Sequence, residues 1–78
     1  MSRELVEYVI PWLVDHPEDL QIEEIEGEKG ALIIELSVHP DDMGKVIGKR
    51  GRIIRSLRTL AKAAGQRDDR PVLLEVVD

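Results

Sequence analysis

The sequence of 78 residues has no cysteine and no phenylalanine, and its one tyrosine and one tryptophan stand four positions apart, at Tyr8 and Trp12. Without thiols there is neither a disulfide staple nor a thiolate metal site, so a hydrophobic core alone has to hold the fold. Too few aromatics are present to build a platform on which successive bases stack. No run approaches the ~20 apolar residues of a membrane helix. The opening Met1-Ser2-Arg3-Glu4-Leu5-Val6-Glu7 is too charged for the apolar region of a signal peptide. A cytoplasmic protein is expected, folded as one small domain over residues 1–78. A chain this short buries only about three-fifths of its surface, so its packing has to be economical.

A further absence is local. Between Lys45 and Lys62 there is no acid, while Lys45, Lys49, Arg50, Arg52, Arg55, Arg58 and Lys62 supply seven of the eleven cations. All sixteen acids and four cations lie elsewhere, so a stretch of +7 faces a remainder of −12 within a net charge of −5. Local field rather than net charge decides where an anion is drawn.

The periodicities give a coarse order of elements. Ser2 suits an N-cap, and Leu5, Val6, Val9, Ile10 and Leu13 repeat at helical spacing, which predicts a helix to about Asp15 with a kink or restart at Pro11. Tyr8 and Trp12 share a face and are expected to pack rather than to stack on bases. Leu20–Gly27 reads as a strand, with Ile25 out of phase and a bulge expected near Glu23-Glu24. After a turn at Glu26–Gly30, Ala31–Val38 alternates cleanly, which predicts an antiparallel hairpin. Pro40 and the acids Asp41 and Asp42 suit the start of a short helix ending at Gly48. Arg52–Ala64 predicts a longer helix whose apolar side is Ile53, Ile54, Leu57, Leu60, Ala61 and Ala64, closed by Gly65. Val72–Val77 predicts a last strand. Helix, strand, strand, helix, helix, strand is most economically a three-stranded sheet covered on one face by helices. The other face would carry Ile33, Leu73 and Val77 among Gln21, Glu23, Glu35 and Glu75, a possible partner surface.

Chemistry concentrates at Val46-Ile47-Gly48-Lys49-Arg50-Gly51-Arg52-Ile53-Ile54. Glycine lets backbone approach a phosphate closely, and the N–H groups opening the following helix point at the same anion. A P-loop is excluded: Gly44 and Gly48 are separated by three residues instead of four, and Arg50 stands where Ser or Thr would bind magnesium. No catalytic or metal site is expected, and no cofactor. His16 and His39 each precede a proline at an element boundary, where capping or solvated turns are the common role, and no converging ligand set is evident.

Val46-Ile47-Gly48-Lys49-Arg50-Gly51-Arg52-Ile53-Ile54-Arg55-Ser56-Leu57 resembles the KH-domain signature, apolar-Ile-Gly-x-x-Gly-x-x-Ile-x-x-Leu. The element order is similar to the type II arrangement, and Asp15–Asp19 and Asp42–Gly48 extend the likeness to the stand-alone bacterial KH proteins of the KhpA type. The resemblance implies an α+β, type II KH-like fold, α-β-β-α-α-β, with a three-stranded mixed sheet and helices on one face. It implies a non-catalytic protein that clamps about four single-stranded nucleotides and works as an RNA chaperone or post-transcriptional regulator. Gly48 and Gly51 would allow close approach, with Lys49 and Arg50 at the phosphates. Arg52, Arg55 and Lys45 would make further contacts, and Val46 and Ile54 would line an apolar groove. Ile47 and Leu57 are assigned to the core. Implied partners are single-stranded RNA and either a second copy or a second KH-containing RNA-binding protein of the KhpB/Jag type. The alternative is a protein-interaction or dimerisation module. The residues do not separate RNA from single-stranded DNA.

Overall fold

A computed structural model describes residues 1–77. Helix α1 spans Ser2–Leu13, strand β1 Gln21–Glu26, strand β2 Leu32–Ser37, helix α2 Met43–Ile47, helix α3 Arg52–Arg67 and strand β3 Val72–Val77. Short 3-10 turns occupy Pro17–Asp19, Glu28–Gly30, Pro40–Asp42 and Lys49–Gly51. β2 is central, antiparallel to β1 and parallel to β3, so the sheet is mixed, as the resemblance implied. The α2–α3 unit is the crossover that a parallel pair requires.

Alternation along the strands decides which face is covered. Leu32, Ile34 and Leu36 of β2 and Val72 and Leu74 of β3 are buried beneath the helices. They meet Val6, Ile10 and Val14 from α1 and its exit, Val46 from α2, and Ile54, Leu57 and Ala61 from α3. The opposite face is unpartnered, and its cross-strand rows separate by chemistry. Ile25, Ile33 and Leu73 lie level across the three strands, and so do Glu23, Glu35 and Glu75.

Several local expectations are corrected. Ser2 does not cap α1: its Oγ donates to the Ala61 carbonyl at 3.0 Å, tying the two long helices together. Nor does Pro11 break α1, which runs through it to Leu13. Only the Glu7 carbonyl loses its helical donor there, and Glu7 and Pro11 are both exposed, so water can satisfy it. No bulge interrupts β1, which pairs one-to-one from Gln21–Ser37 to Glu26–Leu32. Ile25 is out of phase because it belongs to the apolar row of the outer face. Leu60 is half-exposed, one residue off the buried stripe Ile54–Leu57–Ala61–Gly65, and therefore turned about 100° from Ala61.

Gly65 does not end α3; it lies where β3 crosses the helix. A Cβ there would stand 2.4 Å from Val72 Cγ2 and 2.7 Å from the Arg70 carbonyl, and the second of these is backbone that cannot rotate away. Gly65→Ala is therefore expected to cost about 1–3 kcal/mol through overpacking. Gly44→Ala, where a Cβ meets nothing within 4 Å in a helical segment, should gain about 0.5–1 kcal/mol. Urea unfolding of the two variants measures both, and equal effects would refute the close-approach reading of Gly65.

Candidate nucleic-acid interface

The site is built on a helix too short to stand alone. α2 has only five residues, whereas isolated helices below about 12 residues are marginal in water. Two side chains hold it. Val46 is 0% exposed and plugs the core. Asp42, also 0% exposed, accepts from the backbone N–H of Asp15 at 3.1 Å and of His16 at 2.9 Å. The exit of α1 is thereby fastened to the entrance of α2. The Lys45 ammonium closes the arrangement, 2.8 Å from Asp15 Oδ2 and 3.5 Å from Asp42 Oδ1. Asp15, and then Asp42, hold that ammonium in its charged form. Burial by itself pushes the Asp42 carboxyl up. The two backbone donors, with the charges of His16 and Lys45, outweigh it and keep the group below the ordinary aspartate value of 3.8.

The loop follows from the end of α2. The Gly48 N–H donates to the Gly44 carbonyl at 2.8 Å, and the Gly51 N–H donates to the Gly48 carbonyl at 3.1 Å. Gly48, Arg50 and Gly51 all have positive φ, at 77°, 56° and 71°. The two glycines have different reasons for being glycine. At Gly48 a Cβ would lie 2.6 Å from Ile53 Cγ1, so the loop folds back against the first turn of α3. Around Gly51 the nearest atom to such a Cβ is 3.8 Å away, and only the left-handed backbone demands glycine. Arg50 has no such licence. Its left-handed conformation carries strain of order 1 kcal/mol or more, and it points a charged residue from the tip of an exposed turn.

The expected site residues divide into two groups. Lys49, Arg50, Arg52 and Arg55 are exposed and, among the described residues, have no carboxylate partner within ion-pair distance. They lie on the loop and the first turn of α3, whose leading N–H, at Arg52, donates back to the Lys49 carbonyl. Val46 and Ile54 are corrected from groove lining to core, since both are buried beneath the loop and support it from inside. Ile47, assigned to the core, is only half-buried, like Ile53, and it is these two that frame the loop's base. Leu57 is core as expected. Lys45 is exposed too, and its ammonium pairs with Asp15 and Asp42, which ties it to α2.

Other residues lie differently from what their spacing suggests. Tyr8 and Trp12 are not packed; they are 71% and 79% exposed. Met1, Leu5, Tyr8 and Trp12 repeat at i, i+4, i+7 and i+11 and make a second apolar stripe beside the buried one, a repeat that could have been read directly. His16 and His39 come together as stacked rings, with centroids 4.0 Å apart and planes 21° apart. With Asp41 they bring ligand atoms within 4.8 Å of one another. Imidazole lone pairs lie in the ring planes, and planes so nearly parallel do not meet at the ~2.0–2.1 Å a zinc–nitrogen bond allows. His39 Nδ1 moreover accepts from the Asp41 N–H at 3.0 Å. The pair serves as a cap and a packing contact.

A mixed sheet, helices on one face, and a left-handed Gly-x-x-Gly turn joining two helices define a KH-like fold. The chain's residues 3–76 match the family model described as KhpA/KhpB, KH domain. It is 48% identical over 75 residues to the RNA-binding protein KhpA of Clostridium perfringens, which covers 96% of this chain and 99% of that protein. To the protein of the same name from Halalkalibacterium halodurans it is 49% identical over 76 residues, or 97% and 99% of the two chains. For the one from Aquifex aeolicus the figures are 45% over 76 residues, or 97% and 95%. The chain belongs to the KhpA/KhpB KH-domain family, which is a family of binding domains and not of enzymes. No helix among the described residues is long and apolar enough to cross a membrane.

The Asp42 contacts predict a pH-dependent contribution to stability. Because the folded-state carboxyl titrates below its unfolded value, the contribution is complete above about pH 4 and is lost as pH falls through the folded-state value. Asp42→Asn leaves one of the two backbone donors without its acceptor and should lower Tm by several degrees at neutral pH. The gap between wild type and variant should narrow as pH falls below the unfolded-state value and through the lower folded-state one. Thermal melts of both proteins across that range provide the check, and a gap that persists at the acid end would refute this role.

Proposed function

We propose that the chain acts as a single KH domain that binds RNA without catalysis, clamping about four single-stranded nucleotides at Gly48-Lys49-Arg50-Gly51. The observation that carries this reading is the loop itself. A left-handed turn offers two unpaired cations at its tip, directly before the opening N–H groups of a 16-residue helix that has no acid in its first turn. Phosphates on the loop would meet Lys49 and Arg50, then Arg52 and Arg55, while Ile47 and Ile53 supply apolar contact at the base. The name shared by the relatives, RNA-binding protein, supports the choice of nucleic acid, and an RNA chaperone or post-transcriptional regulator in the cytoplasm is the role that fits a small cysteine-free domain.

A second property is favoured by one observation. The exposed stripe of Met1, Tyr8 and Trp12 on α1, together with half-exposed Leu60 on α3, is apolar surface that the loop does not use. We read it as the surface for pairing with a second copy or with a KhpB/Jag-type KH protein. Pairing raises the affinity of two weak sites through effective concentration. Trp12→Glu is expected to leave a monomer in light scattering while binding of a tetranucleotide is unchanged. A wild type that is monomeric at all concentrations and alone would discard the self-pairing form.

Lys49→Asp combined with Arg50→Asp should abolish RNA binding while leaving Tm within a few degrees of wild type, because both side chains are exposed and Asp tolerates the left-handed conformation. In wild type, about three neutralised phosphates on a single strand give a slope of about −2 for log K against log salt. Retained affinity in the folded double variant, or a salt slope near zero, would sink the assignment.

A further inference from the structure

The sheet face turned away from the helices carries two level rows of unlike chemistry. Ile25, Ile33 and Leu73 form one, and Glu23, Glu35 and Glu75 form the other. Residues two apart on a strand share a face, so the rows run side by side about 7 Å apart. Ile25 and Leu73 are 39% and 46% exposed, and Ile33 between them is half-buried. The core residues of α1, α2 and α3 all pack on the other face of the sheet and leave both rows uncovered.

The acids of this face have no counter-charge within the chain. Among the described residues, Glu23, Glu35 and Glu75 have no cation within ion-pair distance. Their neighbours on β1 differ. Glu24 and Glu26 belong by register to the helix-covered face, and each finds a cation: Arg3 lies 3.7 Å from Glu24, and Arg70 Nη2 donates to both Glu26 oxygens at 2.9 Å. The three outer glutamates stand directly opposite one another across the strands, an arrangement of like charges that costs stability. The face is therefore apolar along one row and an uncompensated negative field along the next.

Charge decides what covers it. Nucleic acid is repelled by the glutamate row. A second copy fits poorly: the exposed stripe of α1 carries Glu4 and Glu7 beside Arg3, and the cationic side of α3 set on another copy's sheet makes a head-to-tail contact that does not close. We propose that this face docks a cationic amphipathic helix of a different protein. Its apolar side chains lie on the Ile25–Ile33–Leu73 row and its Lys or Arg side chains over the Glu23–Glu35–Glu75 row. The spacings agree. Three strands set the ends of a row about 10 Å apart, and helix positions i, i+4 and i+7 advance over about 10.5 Å. The apolar stripe supplies contact, and the charged flank fixes the direction in which the helix lies. The docked helix is separated from the Gly48–Gly51 loop by the sheet, and the proposal does not rest on the reading of that loop.

The test titrates the full chain, by amide NMR, with a designed helical peptide of about 15 residues that has leucines at i, i+4 and i+7 and lysines along one flank. Wild type should show shifts at Gln21–Ile25, Ile33–Ser37 and Leu73–Val77 and none at the loop. The triple variant Glu23→Gln/Glu35→Gln/Glu75→Gln should bind roughly tenfold more weakly, from three exposed ion pairs at about twofold each. Its Tm should not fall, because the substitutions remove like-charge repulsion, so the loss of binding is not a loss of fold. Ile25→Ser combined with Leu73→Ser should also weaken binding with the acidic row intact. A peptide of the same composition with its leucines scattered around the helix should bind at least tenfold more weakly to wild type. Equal binding of the two peptides shows charge attraction alone and overturns the proposal. Undiminished binding by the triple variant overturns it, as do shifts confined to α1 or α3. Self-association of wild type that the triple variant abolishes would make a second copy the occupant, and overturns it too.

Discussion

A buried carboxylate is the constraint on which the presented loop depends. α2 has too few residues to form by itself, and its N-terminal end is fixed only because Asp42 draws the backbone of Asp15 and His16 against it. A buried charge is tolerable when its hydrogen bonds are complete, and here two N–H donors and one ammonium complete them. With that end fixed, Val46 enters the core and the chain can leave α2 only through Gly48, where Ile53 already occupies the space that a side chain would need. The other end of the helical unit is fixed by contact instead of charge, at Gly65 against Val72 and Arg70. Between these two points lie the loop and the first turns of α3.

The same division explains how a protein of net charge −5 presents a cationic face. Of seven cations in the acid-free stretch, Lys45 is neutralised by Asp15 and Asp42, and Arg58 is turned onto the strand edge. Lys49, Arg50, Arg52, Arg55 and Lys62 remain. Glu23, Glu35 and Glu75 stand in one row on the sheet face away from the helices. Like charges directly across strands cost stability, yet the molecule is 19 Å across even in its shortest dimension. At physiological salt the screening length is about 8 Å. Acids on the far side therefore barely weaken the field at the loop. The basic stretch and the acidic row therefore give two sides of the molecule opposite local fields.

The element order and the sheet were legible because they rest on periodicity, which survives without tertiary knowledge. Alternation through Leu32, Ile34 and Leu36 and helical spacing through Ile54, Leu57 and Ala61 each point to one face. What could not be read were the roles of residues whose partners are distant in sequence. Ser2 looks like a cap until Ala61, 59 positions on, is beside it. Gly65 looks like a helix terminus until β3 crosses over it. Asp42 looks like one of two acids at a helix start, and only the fold shows that it faces inward while Asp41 is exposed. Ile25 differs: a single apolar residue out of phase fits a bulge and an opposite-face contact equally well, and the register alone separates them.

The motif positions separate in the same way into those that make the loop and those that can use it. Val46, Ile54 and Leu57 are buried, and Gly48 is packed against Ile53, so these signature residues are explained by folding alone. A substitution at any of them changes the shape of the loop before it changes any contact with a ligand. The left-handed Arg50 is the exception. Nothing in the packing asks for arginine there, glycine or asparagine would carry less strain, and the side chain stands in solvent at the tip. Folding alone does not explain the identity of such a residue, and exposed Lys29 in the β1–β2 turn, with φ of 58°, has the same left-handed backbone.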